Sequence, residues 1–104
     1  MTPIIEIATS YGTDLSSRHR AAELRRGVLT QSDAGIEPLT LDFAGVRSLS
    51  ESFADEAFAV IVAERGEAWF REHLRLVNLS ASVRLSILEA VFERCGDHEA
   101  AGAG

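Results

Sequence analysis

Three short apolar segments alternate along this chain with three longer segments of helical periodicity. The short segments are rich in β-branched residues or leucine and are bounded by turn-forming residues, which is typical of strands: residues 4–8, 38–43 and 74–77. The longer segments carry apolar residues at helical spacing: residues 16–29, 53–63 and 81–96. This βαβαβα order predicts an α/β fold in which helices pack on a small, mainly parallel sheet. Because three strands leave two open edges, we expect a further strand within a loop or cover from a partner chain.

The apolar positions of these segments predict a single core. Leu39, Leu41 and Phe43 share one face of the second strand. The helices are expected to turn the following residues inward: Ala21, Leu24, Val28, Phe53, Ala57, Val60, Ile61, Val83, Ile87, Leu88 and Val91, with Phe92 beside them. Gly27 is expected to weaken the end of the first helix, and Ser80 offers an N-cap to the last one.

The length of 104 residues predicts one domain, over residues 1–96, followed by a flexible tail over residues 97–104 that is rich in Ala and Gly. The first residues lack the basic start and the long apolar run of a signal peptide. No segment has the ~20 apolar residues that a membrane span needs. The sequence therefore predicts a soluble, cytoplasmic protein that does not bind membranes.

The composition excludes several classes of function. The formal net charge is −6, so the long-range field opposes binding to nucleic acid. All ten basic residues are arginine, and without lysine neither a Walker-A phosphate loop nor Schiff-base chemistry can operate. Cys95 is the single cysteine, and the histidines His19, His73 and His98 have no metal-ligand spacing. No metal and no cofactor are expected, and His73 beside Trp69 is interpreted as a packed residue.

Two loops are expected to meet where the parallel strands end, residues 9–17 and residues 47–52. The first loop is rich in hydroxyls and leads into a basic helix, which suggests an anion-binding cradle: Thr9, Ser10, Thr13, Ser17 and Arg18. The alternative interpretation is that the arginines of this helix form a solvated face paired with neighbouring acids.

The second helix places several small or acidic residues on one predicted face, by their spacing of three and four: Ser52, Asp55, Glu56, Ala59 and Ala63. Alanines at 59 and 63 would leave this face low and smooth, so that another protein could approach closely. The alternative interpretation is that alanine is simply a good helix former. Ser52 and Asp55 also fit the capping-box pattern, in which the Ser52 hydroxyl would cap the helix.

Residues 41–56 resemble the central segment of STAS domains, the family of anti-sigma factor antagonists. The run Ser-Phe-Ala-Asp-Glu at 52–56 is more similar still to the STAS-like branch of unknown function, and the resemblance covers residues 38–94. It implies a serine at the helix start, matched here by Ser52, that a partner kinase phosphorylates to switch docking off. The acidic residues around Ser52 are a departure, since the relatives place small residues, chiefly glycine, there.

The resulting hypothesis is a non-enzymatic, regulatory protein-interaction domain of partner-switching signalling. Its partner-binding residues are predicted around the second helix, with Ser52 as the phosphoacceptor: Ser50, Glu51, Ser52, Asp55, Glu56, Ala59 and Ala63. The resemblance implies an ATPase-like serine kinase or an anti-sigma factor as the partner, and a homo-oligomer could form through the sheet edges. The alternatives are a sensor of small anions or nucleotides, and a small hydrolase or transferase that uses Asp42, Asp55 and Ser52.

Overall fold

The computed structural model describes residues 3–36 and 38–94 in full, and residues 95–103 as helical backbone. The described residues form five strands: β1 Ile4–Glu6, β2 Asp14–Leu15, β3 Leu39–Asp42, β4 Ser48–Leu49 and β5 Leu74–Val77. In the same part of the chain, five helices connect or follow these strands: α1 Ile7–Tyr11, α2 Arg18–Asp33, α3 at residues 51–65, α4 Glu67–His73 and α5 Ala81–Ala103. Helix α3 has three consecutive parts, an α-helical Glu51–Ala54, a π-helical Asp55–Ala59 and an α-helical Val60–Arg65.

The three predicted strands form one parallel sheet in the order β1-β3-β5. Ile5, Leu41 and Leu76 lie side by side across it, and together with Leu39 and Leu74 they point to the same face. Leu39, Leu41 and Phe43 are buried and join one hydrophobic core with side chains of α2, α3 and α5. The predicted α/β fold, with helices packed on a small, mainly parallel sheet, is confirmed.

The two loops at the strand ends each contain a short strand that the sequence did not reveal. Asp14 pairs with Ser48 and Leu15 with Leu49, so β2 and β4 form a second, two-stranded parallel sheet. The expected further strand therefore exists, but it pairs with another loop strand. Within the described residues, β1 and β5 remain the edges of the three-stranded sheet.

Helix α2 confirms the predicted inward positions, because Ala21, Leu24 and Val28 are fully buried. The expectation that Gly27 weakens its end is wrong, since the helix continues to Asp33. A tertiary contact accounts for the extension: the carboxylate of Asp33 accepts two hydrogen bonds from Arg65, at 2.9 and 3.1 Å, which ties the end of α2 to the end of α3.

Helix α3 lies at the centre of the fold, between α2 and α5. In its π-helical part the backbone turns less per residue than in an α-helix, so side chains after Asp55 are rotated away from the positions that a 3.6-residue period assigns. Phe58 and Ala59 are both completely buried as a result. The phenyl ring of Phe58 lies 6.0 Å from the ring of Phe43 and 6.4 Å from the ring of Phe70, measured between centroids.

Two short helices were missed by the sequence interpretation. Residues 7–11 form α1 where the first strand was expected to continue into a turn, and α4 occupies the segment before β5. Gly66, at a φ of +93°, makes the break between α3 and α4 that a residue with a Cβ would resist. His73 is packed as expected: its ring stacks on Trp69 at 4.4 Å, and its Nδ1 lies 2.9 Å from the Trp69 carbonyl oxygen.

Helix α5 starts as predicted, with the Ser80 hydroxyl accepting a hydrogen bond from the Val83 amide at 3.2 Å. Val83 and Ile87 face the core, but the predicted inward positions of Leu88 and Phe92 are wrong, since their exposures are 56% and 76%. The apolar arc of this helix is wider than the surface that the rest of the domain offers it. The helix continues to Ala103, and the flexibility of residues 97–104 stays a prediction.

Within the described residues, no helix combines the length and the hydropathy that crossing a membrane requires.

Candidate functional site

The two loops at the carboxyl ends of the strands meet as the sequence predicts, because backbone hydrogen bonds join them. The Ser50 amide donates to the Leu15 carbonyl at 2.8 Å, and the Arg47 amide donates to the Thr13 carbonyl at 2.7 Å. Residues 13–17 and 47–51 thereby form one continuous surface, which we call the carboxyl-end surface. Most of its side chains are exposed, with Leu15 and Leu49 anchoring it to the core.

An ion pair crosses the carboxyl-end surface. Arg47 Nη2 lies 2.9 Å from a carboxylate oxygen of Asp14, and the Ser48 hydroxyl donates to the other oxygen at 2.9 Å. These two hydrogen bonds, the one from Arg47 first, lower the pKa of Asp14 below its ordinary value. No sequence pattern indicates this pair, since Asp14 and Arg47 are far apart along the chain and two-residue strands carry no periodic pattern.

A polar cleft of about 370 Å³ opens beside this surface, between α1 and the start of α2. Of the residues predicted to form an anion cradle, Thr9, Ser10 and Ser17 line the cleft. Thr13 and Arg18 do not line it, whereas Arg20 does. The Ser17 hydroxyl is already used as the N-cap of α2, where it accepts a hydrogen bond from the Arg20 amide at 3.3 Å.

Arg18 turns away from the cleft because it binds two acids of α3. Its Nη1 lies 3.3 Å from a carboxylate oxygen of Glu56 and 3.6 Å from one of Asp55. Arg25, also on α2, donates to both the carboxylate and the backbone carbonyl of Glu56. For these two arginines, the geometry therefore supports the alternative interpretation, in which the basic helix pairs with neighbouring acids.

The acidic residues of α3 serve as ties between three helices. Asp55 accepts two hydrogen bonds from Arg94 of α5, at 2.8 and 2.7 Å, while Glu56 is held by α2. The hydrogen bond from Arg94 is the main cause of the lowered pKa of Asp55, and the one from Arg25 is the main cause of the lowered pKa of Glu56. Both carboxylates are about three-quarters shielded from solvent.

The low, smooth face predicted on α3 does not exist as one surface, and this part of the interpretation is corrected. Ala59 is completely buried, while Ala63 is exposed. The π-helical part rotates Ala59 into the core, and α2 and α5 cover the middle of the helix on either side. Of the predicted partner-binding residues, Glu51 and Ala63 are exposed. Ser50, Ser52, Asp55 and Glu56 are partly exposed, and the last two are bound by arginines.

Ser50, not Ser52, caps helix α3. The Ser50 hydroxyl accepts a hydrogen bond from the Phe53 amide at 3.1 Å, and the helix begins at Glu51. Ser52 is therefore the second helical residue and half-buried, which corrects its predicted role as the N-cap. The sequence contained the signal for either residue, because both are serines immediately before an apolar helical segment.

Replacing the capping serine is expected to cost more stability than replacing its neighbour. We expect Ser50→Ala to lower the free energy of unfolding by about 1 kcal/mol, because the Phe53 amide loses its acceptor. Ser52→Ala is expected to change it by less than ~0.5 kcal/mol. Urea unfolding of both variants measures the difference, and an equal or larger loss for Ser52→Ala would contradict the cap assignment.

The three residues of the hydrolase or transferase alternative are not brought together in the cleft, which none of them lines. Asp42 accepts hydrogen bonds from the Asn78 side chain and the Ala44 amide, both at 2.9 Å, and the first of these is the main cause of its lowered pKa. A lowered pKa makes a carboxylate a weak general base and a poor general acid near neutral pH. Among the described side chains, no group of three or more His, Cys, Asp or Glu is arranged to hold a metal ion.

Comparison with known proteins identifies the family. The profile of the family described as STAS-like domain of unknown function (DUF4325) matches residues 20–84, which is more than half of the chain. The matched part runs from the first turn of α2 to the first turn of α5 and includes β3, β4 and α3. No curated protein and no solved structure matches the chain. With its small parallel sheet and the helices packed on it, the chain belongs to the STAS-like domains of unknown function.

Proposed function

We propose that this STAS-like domain is a non-enzymatic regulatory module that docks a protein partner on its carboxyl-end surface and at the start of α3. The observation that carries the proposal is the junction of the two loops, in which backbone hydrogen bonds and the Asp14–Arg47 ion pair join two segments that expose most of their side chains. A preformed surface loses little conformational entropy on binding, which favours recognition by loops.

The proposed docking residues are those of the predicted set that remain accessible at the helix start, Ser50, Glu51 and Ser52. Glu51 is exposed and lies in the first turn of α3, directly beside the loop that carries Arg47. Asp55, Glu56 and Ala59 are left out because their side chains pack or pair within the domain. The resemblance to anti-sigma factor antagonists suggests an ATPase-like serine kinase or an anti-sigma factor as the partner.

Phosphorylation of Ser52 is a further part of this proposal. Ser52 is half-buried and lies in the first turn of a helix, where the dipole favours an added negative charge by ~0.3–1 kcal/mol. Glu51, Asp55 and Glu56 oppose that charge, although Arg18 already partly neutralises the last two. A phosphate there would raise the negative charge next to the proposed docking residues and would weaken the complex.

The test is affinity capture from native cells with three forms of the chain: the natural one, Glu51→Arg and Glu72→Arg. Glu72 makes a matched control because it is also an exposed glutamate, but on α4, which leads into the opposite end of the sheet. We expect Glu51→Arg to recover at least about tenfold less of a partner that the other two forms recover equally, as for a central interface residue. Thermal unfolding of all three forms checks that they are folded.

Equal recovery of the same proteins by Glu51→Arg and by the natural chain would contradict docking at this surface. Mass spectrometry of the captured chain reports at the same time whether Ser52 carries a phosphate. A docking complex that is identical for Ser52→Ala and Ser52→Asp would contradict the phosphate switch while leaving the docking proposal intact.

The cleft beside α2 supports a second candidate, a sensor of small anions. Ser10, Ser17 and Arg20 line it and would supply two hydroxyls and a positive charge, while the one carboxylate among its lining residues, Asp14, is paired with Arg47. A thermal-shift titration with inorganic phosphate and with nucleotides separates the two candidates. Stabilisation that is lost in Arg20→Gln supports the sensor, whereas no shift with any of these anions speaks against it.

A further inference from the structure

Helix α5 exposes a row of large apolar side chains on the face turned away from the rest of the domain. Leu85 and Leu88 are each 56% exposed and Phe92 is 76% exposed. The opposite face of the same helix is anchored in the core by Val83 and Ile87, whose exposures are 0% and 5%. We call Leu85, Leu88 and Phe92 the α5 stripe. Apolar side chains placed together on a surface in this way mark an interaction site.

The spacing of the α5 stripe is that of a coiled-coil seam. Leu85, Leu88 and Phe92 follow one another at intervals of three and four residues, which corresponds to the a, d and next a positions of a heptad. Ala81 occupies the preceding d position and is also exposed. In this register the core residues Val83 and Ile87 take f and c positions, so two domains that share the seam would lie on opposite sides of it.

Charged residues flank the stripe with opposite signs. Arg84 takes a g position and Glu89 the following e position, and both are exposed. Neither side chain has an ion-pair or hydrogen-bond partner among the described residues. In a parallel helix pair, a g residue meets the e residue five positions later on the other helix, and such pairs set partner choice and orientation. In an antiparallel pair, the two Glu89 side chains would instead lie on the same side of the seam, where their like charges would repel.

We propose that a second copy of this chain docks on the α5 stripe, with the two α5 helices parallel and two symmetry-related ion pairs between Arg84 and Glu89. The charge pattern is self-complementary in that orientation alone. Helix α5 is already folded on its own domain, so the association does not have to pay for helix formation. Because the seam is short, the dimer is weak and its population depends on protein concentration.

The stripe and the carboxyl-end surface share no residue, so this proposal stands or falls separately from the proposed docking function. Dimerisation through the α5 stripe also differs from the oligomerisation through sheet edges that the sequence suggested, since β1 and β5 take no part in it.

Sedimentation equilibrium over increasing concentration, combined with charge variants, tests the dimer and its orientation. We expect the natural chain to dimerise and Leu88→Asp to remain monomeric. The parallel dimer contains two Arg84–Glu89 contacts, and either single variant, Arg84→Glu or Glu89→Arg, would place like charges at both of them. Each single variant is therefore expected to weaken association about tenfold. The double variant Arg84→Glu/Glu89→Arg is expected to restore it. A double variant that stays as weak as the single ones would overturn the parallel register.

Disulfide trapping gives a second, independent readout. In a Cys95→Ser background, Leu85→Cys places the two new thiols opposite each other in the parallel pair. An antiparallel pair would instead set each a position opposite a d position, so that position 85 would face position 88. We expect oxidation to cross-link Leu85→Cys into a covalent dimer and to leave the control Ala63→Cys, also exposed, largely monomeric. Two results together would overturn the proposal: a natural chain that is monomeric at every concentration, and a Leu85→Cys variant that cross-links no better than the control. The α5 stripe would then be a binding site for a different protein.

Discussion

Replacing Ala59 by arginine is expected to unfold the domain. Ala59 is completely buried between α2 and α5. The packed interior has no space for an arginine side chain at this position and no free acid to pair with its guanidinium. Asp55 and Glu56, the nearest acids along the helix, are already bound by Arg94 and Arg25. Overpacking and an unpaired buried charge together are expected to cost at least about 4 kcal/mol, most of the stability of a domain of this size.

Ala63→Arg is the matched control for this prediction. It makes the same substitution on the same helix, one α-helical turn further along, at an exposed position. Its effect on the free energy of unfolding is expected to stay within about 0.5 kcal/mol. Circular dichroism during urea unfolding measures both variants. An Ala59→Arg variant as stable as Ala63→Arg would mean that Ala59 faces solvent and that the π-helical rotation of α3 is wrong.

Removing the Phe58 ring is expected to have the second largest effect. The ring is completely buried and sits between Phe43 from the end of β3 and Phe70 from α4, so it joins the sheet to two helices. Phe58→Ala would leave a cavity that none of these elements can fill without moving. We expect the free energy of unfolding to fall by about 3–5 kcal/mol. Urea unfolding monitored by circular dichroism measures the loss.

Phe92→Ala provides the comparison for Phe58→Ala. Its side chain is 76% exposed, so its removal is expected to change the stability of the monomer by less than about 0.5 kcal/mol. The measurement is made at a protein concentration low enough to keep the chain monomeric. If Phe92→Ala proved as destabilising as Phe58→Ala, then Phe92 would be part of the core, and the α5 stripe would not be free to bind a second copy.

The burial of α3 has a consequence for how the domain can act. Its middle is held on both sides, by ion pairs from Arg18 and Arg25 on α2 and from Arg94 on α5. The exposed residues of this helix lie at its two ends, and only its start adjoins the joined loops. The docking proposed at the start of α3 would therefore involve loops and a helix terminus, and the arginine-bound middle of the helix would take no part in it.

Local sequence patterns were sufficient for the elements whose side chains follow one regular period. The strand Leu39–Asp42, the strand Leu74–Val77 and the inward face of α2 were all predicted correctly. The parallel direction of the three strands followed from the alternation of strands and helices. The meeting of the two loops followed from the same topology, because the carboxyl ends of parallel strands lie at one edge of a sheet. These features depend on neighbours in the sequence and on chain connectivity alone.

Tertiary structure decided the rest, and α3 shows the reason. Its π-helical part shifts the helical period, so the spacing that placed Ala59 outside and overlooked Phe58 does not apply there. The extension of α2 to Asp33 depends on a contact with Arg65. The short strands β2 and β4 form only by pairing with each other. The amino-acid sequence by itself determined the three strands of the main sheet, the three long helices and their order along the chain. Which side of α3 and α5 is covered was decided by packing, because burial depends on surfaces that are distant in the chain.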